Sequence, residues 1–165
     1  MKKIILFLTI IITIFLPSFL SSHVKHYNNL KYLEYEIYLN NELIGIHAFN
    51  FGKDKYILSV TTNGKFKVKK LGIELMNYST KTTETYVNGK LNNYISETFQ
   101  NDKRKYVILT FNKAKKHFVI DGSSFKGSTD ENSIVGSWWN HEIINKNVQI
   151  SAVSGRILPQ KVKFL

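Results

Sequence analysis

The sequence predicts an all-β fold, either a curved antiparallel sheet or an open β-barrel, with at most one short helix. Apolar and polar residues alternate with a period of two in successive runs, beginning with residues 33–39. Turn residues separate these runs, and Asn88-Gly89 between two alternating segments is typical of a type I′ hairpin. No segment has the periodicity of an ordinary helix, and no fixed repeat runs along the chain.

The first strand ends at a turn, Asn40-Asn41-Glu42. The returning segment is expected to place Ile44, Ile46 and Ala48 on the apolar side of that strand, and His47 on the opposite side. There His47 would share a face with Glu34 and Glu36, where a surface ion pair accounts for it. The next alternating run is interrupted by Asn63-Gly64, which is either a hairpin turn or a bend in one long strand.

The Asn88-Gly89 turn predicts the register of the following hairpin. With Val87 opposite Lys90, an uninterrupted ladder places Glu84 opposite Asn93 and Thr80 opposite Glu97. One face of this ribbon is then partly apolar and partly polar, with the residues Tyr78, Thr80, Thr82, Glu84, Tyr86, Leu91, Ile95, Glu97 and Phe99.

The C-terminal part predicts another hairpin over residues 106–121 and a long loop over 121–133. Residues 134–144 are the expected place for a short helix or an aromatic plug, and residues 148–153 form the last clear strand. The segment 161–165 begins a further alternating strand and then stops, which suggests either a sequence truncated at its C-terminus or an unusually short member of its family.

The N-terminus has the pattern of a secretory signal. Met1-Lys2-Lys3 precedes an apolar run, and Pro17 and small residues follow it. A membrane anchor is the alternative, but the run is shorter than the roughly 20 residues that span a bilayer. We therefore expect a signal peptide over residues 1–22, a single β domain over 23–165, and a periplasmic or secreted location.

Composition excludes several classes of site. The chain has no cysteine, so disulfides and thiolate metal sites are excluded. Without Lys2 and Lys3, 21 basic and 12 acidic residues remain, but only Arg104 and Arg156 are arginines. Nucleic-acid readers depend on arginine, so we expect no nucleic acid as a partner. Peripheral contact with an anionic envelope surface is the favoured use of the charge.

Several short motifs, in this order, resemble an uncharacterised exported family of proteobacterial proteins, known as a domain of unknown function. They are Glu36-x-Tyr38, Leu43-Ile44-Gly45-x-His47, Tyr78, Glu84-x-Tyr86-x-x-Gly89-Lys90-Leu91, Ser137-Trp138-Trp139-Asn140 and Gly155-Arg156-x-Leu158-Pro159. The resemblance implies an envelope protein with a curved antiparallel sheet, loosely like the half-barrels of lipoprotein carriers. It implies no established activity.

The first functional hypothesis is a non-enzymatic module that binds an amphipathic or lipid-like ligand on the curved sheet, without a cofactor. The candidate ligand-binding residues are Tyr78, Glu84, Tyr86, Glu97, Trp138, Trp139 and His141. Adjacent side chains on a strand point to opposite faces. One tryptophan is therefore expected in the core, and the other is expected to be exposed or to cover the mouth of a cavity.

Two other classes of function remain open. A hydrolytic or oxidative enzyme of envelope polysaccharide or lipid would use Glu84, Glu97 and His141. The predicted register separates the two carboxylates by roughly 13 Å, beyond the roughly 5 to 9.5 Å of glycosidase pairs. A copper site at His23 with a second histidine has only the terminal position in its favour, so no metal site is predicted. A structural protein that pairs its final strand with a partner is the third class. The oligomeric state is not predicted.

Overall fold

The computed structural model describes Tyr27 and residues 29–163. The predicted signal peptide, His23 and the final two residues of the predicted last strand lie outside the described residues. Residues 161–163, which would begin that strand, have no regular secondary structure.

Eight antiparallel strands form one open sheet in which every neighbour in the chain is a neighbour in space. Two-residue or short turns join consecutive strands, and the first and last strands are the edges. This confirms the prediction of a curved antiparallel sheet. The strands are β1 (Tyr32–Leu39), β2 (Glu42–Asp54), β3 (Ile57–Lys70), β4 (Ile73–Val87), β5 (Lys90–Gln100), β6 (Lys103–Asn112), β7 (His117–Gly122) and β8 (Lys126–Asp130).

A smaller sheet covers the concave face of the large one. Its three strands, β9 (Ile134–Val135), β10 (Val148–Ile150) and β11 (Ile157–Pro159), are arranged in the order β11-β10-β9. A short 3-10 helix, His141–Asn145, lies between β9 and β10. We call residues 134–160 the cap. The prediction that residues 134–144 contain a short helix is confirmed.

The hairpin turns form because their residues accept left-handed backbone conformations. Asn88 and Gly89 have φ angles of 51° and 79°, which confirms the type I′ turn. Asn40-Asn41 repeats this pattern at the first hairpin with φ angles of 51° and 65°. Asparagine tolerates that region better than other non-glycine residues, so the asparagine-rich turns end their strands locally.

A register shift in the first hairpin overturns one predicted face. The shift lies between Ile37 and Tyr38, and beyond it Tyr35 is paired with His47 while Glu36 is paired with Ile46. Paired residues share a face, so Ile46 does not lie on the apolar side of β1 and His47 does. The same holds for Ala48, which is paired with Glu34. The physical reason is that one extra residue in a ladder moves every later side chain to the other face.

The predicted register of the β4–β5 hairpin is wrong beyond its first pairs, because a second register shift lies in this hairpin. Val87 is paired with Lys90 as predicted, but a bulge between Thr85 and Tyr86 places Glu84 opposite Tyr94. Thr80 is consequently paired with Thr98, and Glu97 is paired with Lys81. The predicted mixed face is therefore right for β4 and for Leu91, which is paired with Tyr86, and wrong for the rest of β5. Ile95, Glu97 and Phe99 are exposed on the outer face, while Tyr94, Ser96 and Thr98 are buried on the inner face.

Two further segments are settled by the strand pairing. Asn63-Gly64 lies within the long strand β3, with Gly64 paired with Thr80, so the second of the two predicted alternatives is correct. The predicted loop over residues 121–133 contains β8, which pairs with β7. Its polar sequence has no apolar alternation, because β8 is an edge strand without a buried face.

Two apolar clusters hold the cap on the sheet. One lies under β5, β6 and β7 and includes Val135 and Ile150 of the cap. The other lies under β2, β3 and β4 and includes Trp139 of the cap. The buried members of the first are Tyr94, Val107, Leu109, Phe118, Ile120, Val135 and Ile150, and those of the second are Phe49, Leu58, Val60, Tyr86 and Trp139.

The register of β2 gives a test of this architecture. A Cβ atom at Gly45 would lie 2.1 Å from the carbonyl oxygen of Lys65, whereas one at Gly52 would lie 3.9 Å from its nearest neighbour. We expect Gly45→Ala to lower the free energy of unfolding by about 1–3 kcal/mol because the backbone of β3 must move. Gly52→Ala is the matched control and should change it by less than about 0.5 kcal/mol. Equal urea midpoints for the two variants would contradict the β2–β3 register.

Candidate functional site: a cavity between the sheet and the cap

A cavity of about 320 Å³ lies between the concave face of the large sheet and the cap. Residues of β2 to β5 form its floor and one wall, and the cap forms its roof. The cap contributes residues from two segments, 136–138 and 149–153, together with Leu158. The cavity therefore exists only while the cap is held in place over the sheet.

The floor changes from polar to aromatic along β3 and β4. Glu84 lies at the inner end, Thr62 is paired with Thr82 next to it, and Phe66 is paired with Tyr78 at the outer end. The rings of Phe66 and Tyr78 are stacked, with centroids 4.7 Å apart. The inner residues are buried and the outer pair is partly exposed, so the mouth of the cavity lies at the aromatic end.

Glu84 joins the sheet to the cap through its carboxylate. Its side chain is 1 % exposed. Ser137 Oγ and Trp139 Nε1 both donate to Oε1, at 2.6 and 2.9 Å, and the hydroxyl of Tyr86 donates to Oε2 at 2.6 Å. Ser137 and Trp139 belong to the cap and lie more than fifty residues further along the chain. Two of the sequence motifs therefore meet at one buried carboxylate.

Burial and hydrogen bonding act in opposite directions on the pKa of Glu84. Burial raises the pKa of Glu84 above its ordinary value, and the hydrogen bonds from Ser137, Tyr86 and Trp139 oppose this shift only in part. The pKa of Tyr86 is raised well above its ordinary value, first by burial and then by the charge of Glu84. Glu84 and Tyr86 are therefore stabilised in the interior by hydrogen bonds, and neither lysine nor arginine is among their described hydrogen-bond partners.

The two tryptophans point in opposite directions, as predicted. Trp139 is 2 % exposed and makes edge contacts with the rings of Tyr27, Phe51 and Tyr86, with centroid distances of 5.0, 5.4 and 5.6 Å. Trp138 is 60 % exposed and lines the cavity. One ring therefore fixes the cap in the core and the other lies at the mouth.

His47 forms an apolar wall beside Trp138. Its ring is stacked on Phe49 at 4.7 Å and tilted against Trp138 at 4.9 Å. Burial lowers the pKa of His47 below its ordinary value, so the ring is neutral near neutral pH. The predicted surface ion pair with Glu34 or Glu36 is wrong, because the shift in the first hairpin turns His47 to the concave face.

A second set of contacts fixes the other part of the cap. Tyr94 Oη and Ser96 Oγ both donate to the carbonyl oxygen of Ala152, at 3.1 and 2.7 Å. Gly155, with a φ angle of 78°, packs directly on Gly122, and a Cβ atom at Gly122 would lie 2.6 Å from the carbonyl oxygen of Ser154. The motif that begins at Gly155 therefore needs glycine for close approach of two backbones.

One hydroxyl on the cavity floor has no partner. Thr80 Oγ1 and Thr98 Oγ1 lie 2.8 Å apart and satisfy each other. Thr62 Oγ1, by contrast, is the single buried side-chain polar atom without a hydrogen-bond partner in the described part of the chain. A buried hydroxyl left in this state costs about 1–3 kcal/mol, which makes it the most informative polar group of the cavity.

The structure brings together some of the predicted ligand-binding residues and separates others. Tyr78, Glu84 and Trp138 line the cavity. Tyr86 and Trp139 do not line it but donate hydrogen bonds to Glu84. Their role in ligand binding stays a prediction. The remaining two lie elsewhere. Glu97 is on the outer face in an ion pair with Arg104 at 2.5 Å, and His141 Nδ1 lies 2.9 Å from the hydroxyl of Tyr27.

This arrangement bears on the enzymatic alternative. The predicted catalytic set of Glu84, Glu97 and His141 does not converge, because Glu97 is on the opposite face of the sheet from Glu84 and His141 does not line the cavity. Over the described residues no group of three His, Asp or Glu side chains has the spacing of a metal site. Within the same ranges no helix has the length and apolarity needed to cross a membrane.

Sequence reasoning missed several lining residues. Thr62 and Phe66 lie on the same alternating face of β3 as the buried Leu58 and Val60, so the period-two pattern of the strand is the signal that could have found them. Tyr94 was left off the predicted mixed face because no residue type marks the bulge that turns it inward. Gln149 and Leu158 come from the cap, and short strands without alternation carry no signal of what they cover.

The pH dependence of stability tests the position of Glu84. The raised pKa means that folding favours the protonated carboxyl, so this contribution is complete below the unfolded-state pKa and is lost as the pH rises through the folded-state pKa. The side chain of the Glu84→Gln variant does not titrate. In urea denaturation from about pH 4 to 8 we therefore expect the free energy of unfolding of the variant to rise relative to that of the wild type as the pH increases. A difference in free energy that stays constant over this range would contradict the assignment.

A second variant tests the hydrogen bonds themselves. Glu84→Leu leaves three buried donors without an acceptor, so we expect it to lose at least about 3 kcal/mol of stability. A smaller loss than that of Glu84→Gln would show that the carboxylate does not hold the cap.

Comparison with known proteins gives the family. No curated protein and no solved structure matches the chain. Residues 35–165 match the family described as a domain of unknown function, DUF6134. This range contains the large sheet from within β1 onward, the cap and all the residues that line the cavity. The chain therefore belongs to the DUF6134 family.

Proposed function

We propose that this protein is an exported envelope module that binds a single-chain amphiphile with an uncharged head group in the cavity between sheet and cap. The observation that carries the proposal is the unpartnered hydroxyl of Thr62 on the floor of that cavity. Rotation of the Thr62 side chain would turn this buried oxygen toward the cavity, where a ligand hydroxyl or amide would supply the missing hydrogen bond.

The polarity of the cavity gives the orientation of the ligand. Its inner end contains the Thr62 and Thr82 hydroxyls and the carboxyl of Glu84, and its outer end is formed by Phe66, Tyr78 and other apolar residues. A polar head is best placed inside and an apolar body at the mouth. The exposed ring of Trp138 there would cover apolar surface of the ligand.

The electrostatics of the cavity favour an uncharged head. No lysine or arginine is among the residues that line it. An anionic head would therefore be desolvated without a counter-charge, next to a carboxyl whose own pKa burial already raises. An alcohol or amide meets no such penalty, because the threonine hydroxyls both donate and accept.

The volume limits the size of the ligand. At about 320 Å³ the cavity lies at the small end of the range for ligand pockets, roughly 300–1,000 Å³. One slender chain or a small isoprenoid fits this volume better than a two-chain lipid. The rest of a longer chain would extend through the mouth.

The location in the envelope follows from the predicted signal peptide over residues 1–22 and from the Lys-rich composition of the mature chain. A curved sheet with a covered concave face also suits the likeness to lipoprotein-carrier half-barrels that the motifs suggested. A protein in that compartment has access to membrane-derived amphiphiles.

The experiment titrates the purified protein with 1-dodecanol and with dodecanoic acid and follows the emission of its two tryptophans, with bound mass checked by native mass spectrometry. We expect the alcohol to bind at least about 10-fold more tightly than the acid because of the uncompensated charge. Thr62→Val should weaken alcohol binding about 5- to 10-fold and raise the free energy of unfolding by about 1 kcal/mol, since it removes an unsatisfied hydroxyl.

Thr61→Val is the matched control. Thr61 is the preceding residue of β3 and points to the outer face, where it does not line the cavity. This variant should leave alcohol affinity unchanged. Equal affinities for wild type and Thr62→Val, or tighter binding of the acid, would overturn the proposal.

A further inference from the structure

The hairpin formed by β3 and β4 continues beyond the last pairs that join it to β2 and β5. The last pair that joins β3 to β2 is Phe66 with Gly45, and the last that joins β4 to β5 is Tyr78 with Gln100. Residues 67–77 form ladder pairs only with each other, around the turn at Leu71-Gly72, and Asn101 of the adjacent turn bonds to Asn77 and Leu75 at the base of this segment. We call this segment the arm. It extends about 16 Å beyond Phe66, at about 3.3 Å per residue.

The tip of the arm exposes three large aliphatic side chains. Leu71 is 92 % exposed, Ile73 is 66 % exposed and Leu75 is 54 % exposed. None of them belongs to either core cluster. They contribute little to folding, and exposed apolar groups concentrated at one end indicate an interaction site.

Basic residues surround this apolar tip. The arm has Lys67, Lys69 and Lys70 and a single acid, Glu74, which pairs with Lys67 at 3.1 Å. Neither Lys69 nor Lys70 makes an ion pair with a described residue. The tip is therefore apolar at its end and positively charged immediately behind it.

Other turns lie at the same edge of the sheet. In an antiparallel meander alternate turns share an edge, so the turns at Asn40-Asn41 and Asn101-Asp102 lie at the same end as the arm. Leu39 and Leu43 beside the first turn are exposed, and Lys103 follows the second. These turns also carry Glu42 and Asp102, so among these three turns the excess of lysines over acids is confined to the arm.

We propose that the arm docks the protein on an anionic lipid bilayer, with Leu71 and Ile73 inserted at the interface and Lys69 and Lys70 at the head groups. Aliphatic side chains backed by lysines complement the two layers of such a surface, its acyl chains and its negative head groups.

The docked orientation places the mouth of the cavity toward the bilayer. Phe66 and Tyr78, which form the mouth, are the residues at the base of the arm. The docking itself does not rest on the proposed ligand, since no residue of the cavity floor takes part in it.

The experiment measures flotation of the purified mature chain with vesicles of phosphatidylglycerol and phosphatidylethanolamine, and with vesicles of phosphatidylcholine alone. We expect binding to the anionic vesicles, weakened more than about 10-fold by Lys69→Glu with Lys70→Glu and weakened in high salt. Leu71→Ser with Ile73→Ser should also weaken binding more than about 10-fold. Both double variants should keep the melting temperature of the wild type, because these side chains are exposed.

Matched controls lie at the opposite edge of the sheet. Lys115→Glu with Lys116→Glu makes the same charge change in the β6–β7 turn, and Tyr56→Ser removes an exposed apolar side chain from the β2–β3 turn. Both should bind vesicles as the wild type does. Equal loss in the controls would overturn the proposal.

Two other outcomes would also overturn it. One is the absence of flotation with anionic vesicles, and the other is retention on an anionic polysaccharide that depends on the lysines but not on Leu71 and Ile73. Thr62→Val should float normally, so failure of the ligand proposal and failure of the docking proposal are distinguished by the same set of variants.

Discussion

The buried carboxylate of Glu84 is the interaction on which the rest of the structure depends. It accepts hydrogen bonds from Tyr86 of the sheet and from Ser137 and Trp139 of the cap. A buried acid without these donors would cost more than the apolar clusters around it could easily offset. Because the donors come from both layers, the carboxylate is satisfied only when the cap is in place. The need of the Glu84 carboxylate for hydrogen bonds therefore fixes the position of the whole cap.

The cavity is a consequence of how the cap is held. Trp139 and the Glu84 network fix one part of the cap, and the Ala152 carbonyl with its two donors fixes another. Between these two anchors the cap passes over the threonine-lined floor without filling it. The space is therefore left open between the two anchors, and the Thr62 hydroxyl on its floor is buried without a hydrogen-bond partner among the described residues.

Sequence patterns predicted the fold class, most turns and the opposite orientations of Trp138 and Trp139, because each depends on residues close together in the chain. They did not predict the bulges beside Ile37 and Thr85, since no residue type marks where a ladder gains a residue. A shift of one position turned Glu97 outward and Tyr94 inward, and so changed one member of the predicted site. The contact of Glu84 with Ser137 was also beyond prediction, because a ladder fixes only neighbouring strands and the cap is not part of the ladder.

The length of β3 and β4 connects the cavity with the edge of the sheet. These are the longest strands of the fold, and their inner parts form the polar floor while their outer parts form the arm. The same two strands therefore connect the cavity with the apolar tip, across one irregularity of their ladder between Val68 and Lys69. A ligand bound as proposed, with its polar head at Glu84, would have its apolar end at Phe66 and Tyr78, on the side of the edge that carries Leu71. The ladder of β3 and β4 thus connects the apolar end of the cavity with the apolar tip, and such a chain would leave toward the surface at which the arm is proposed to dock.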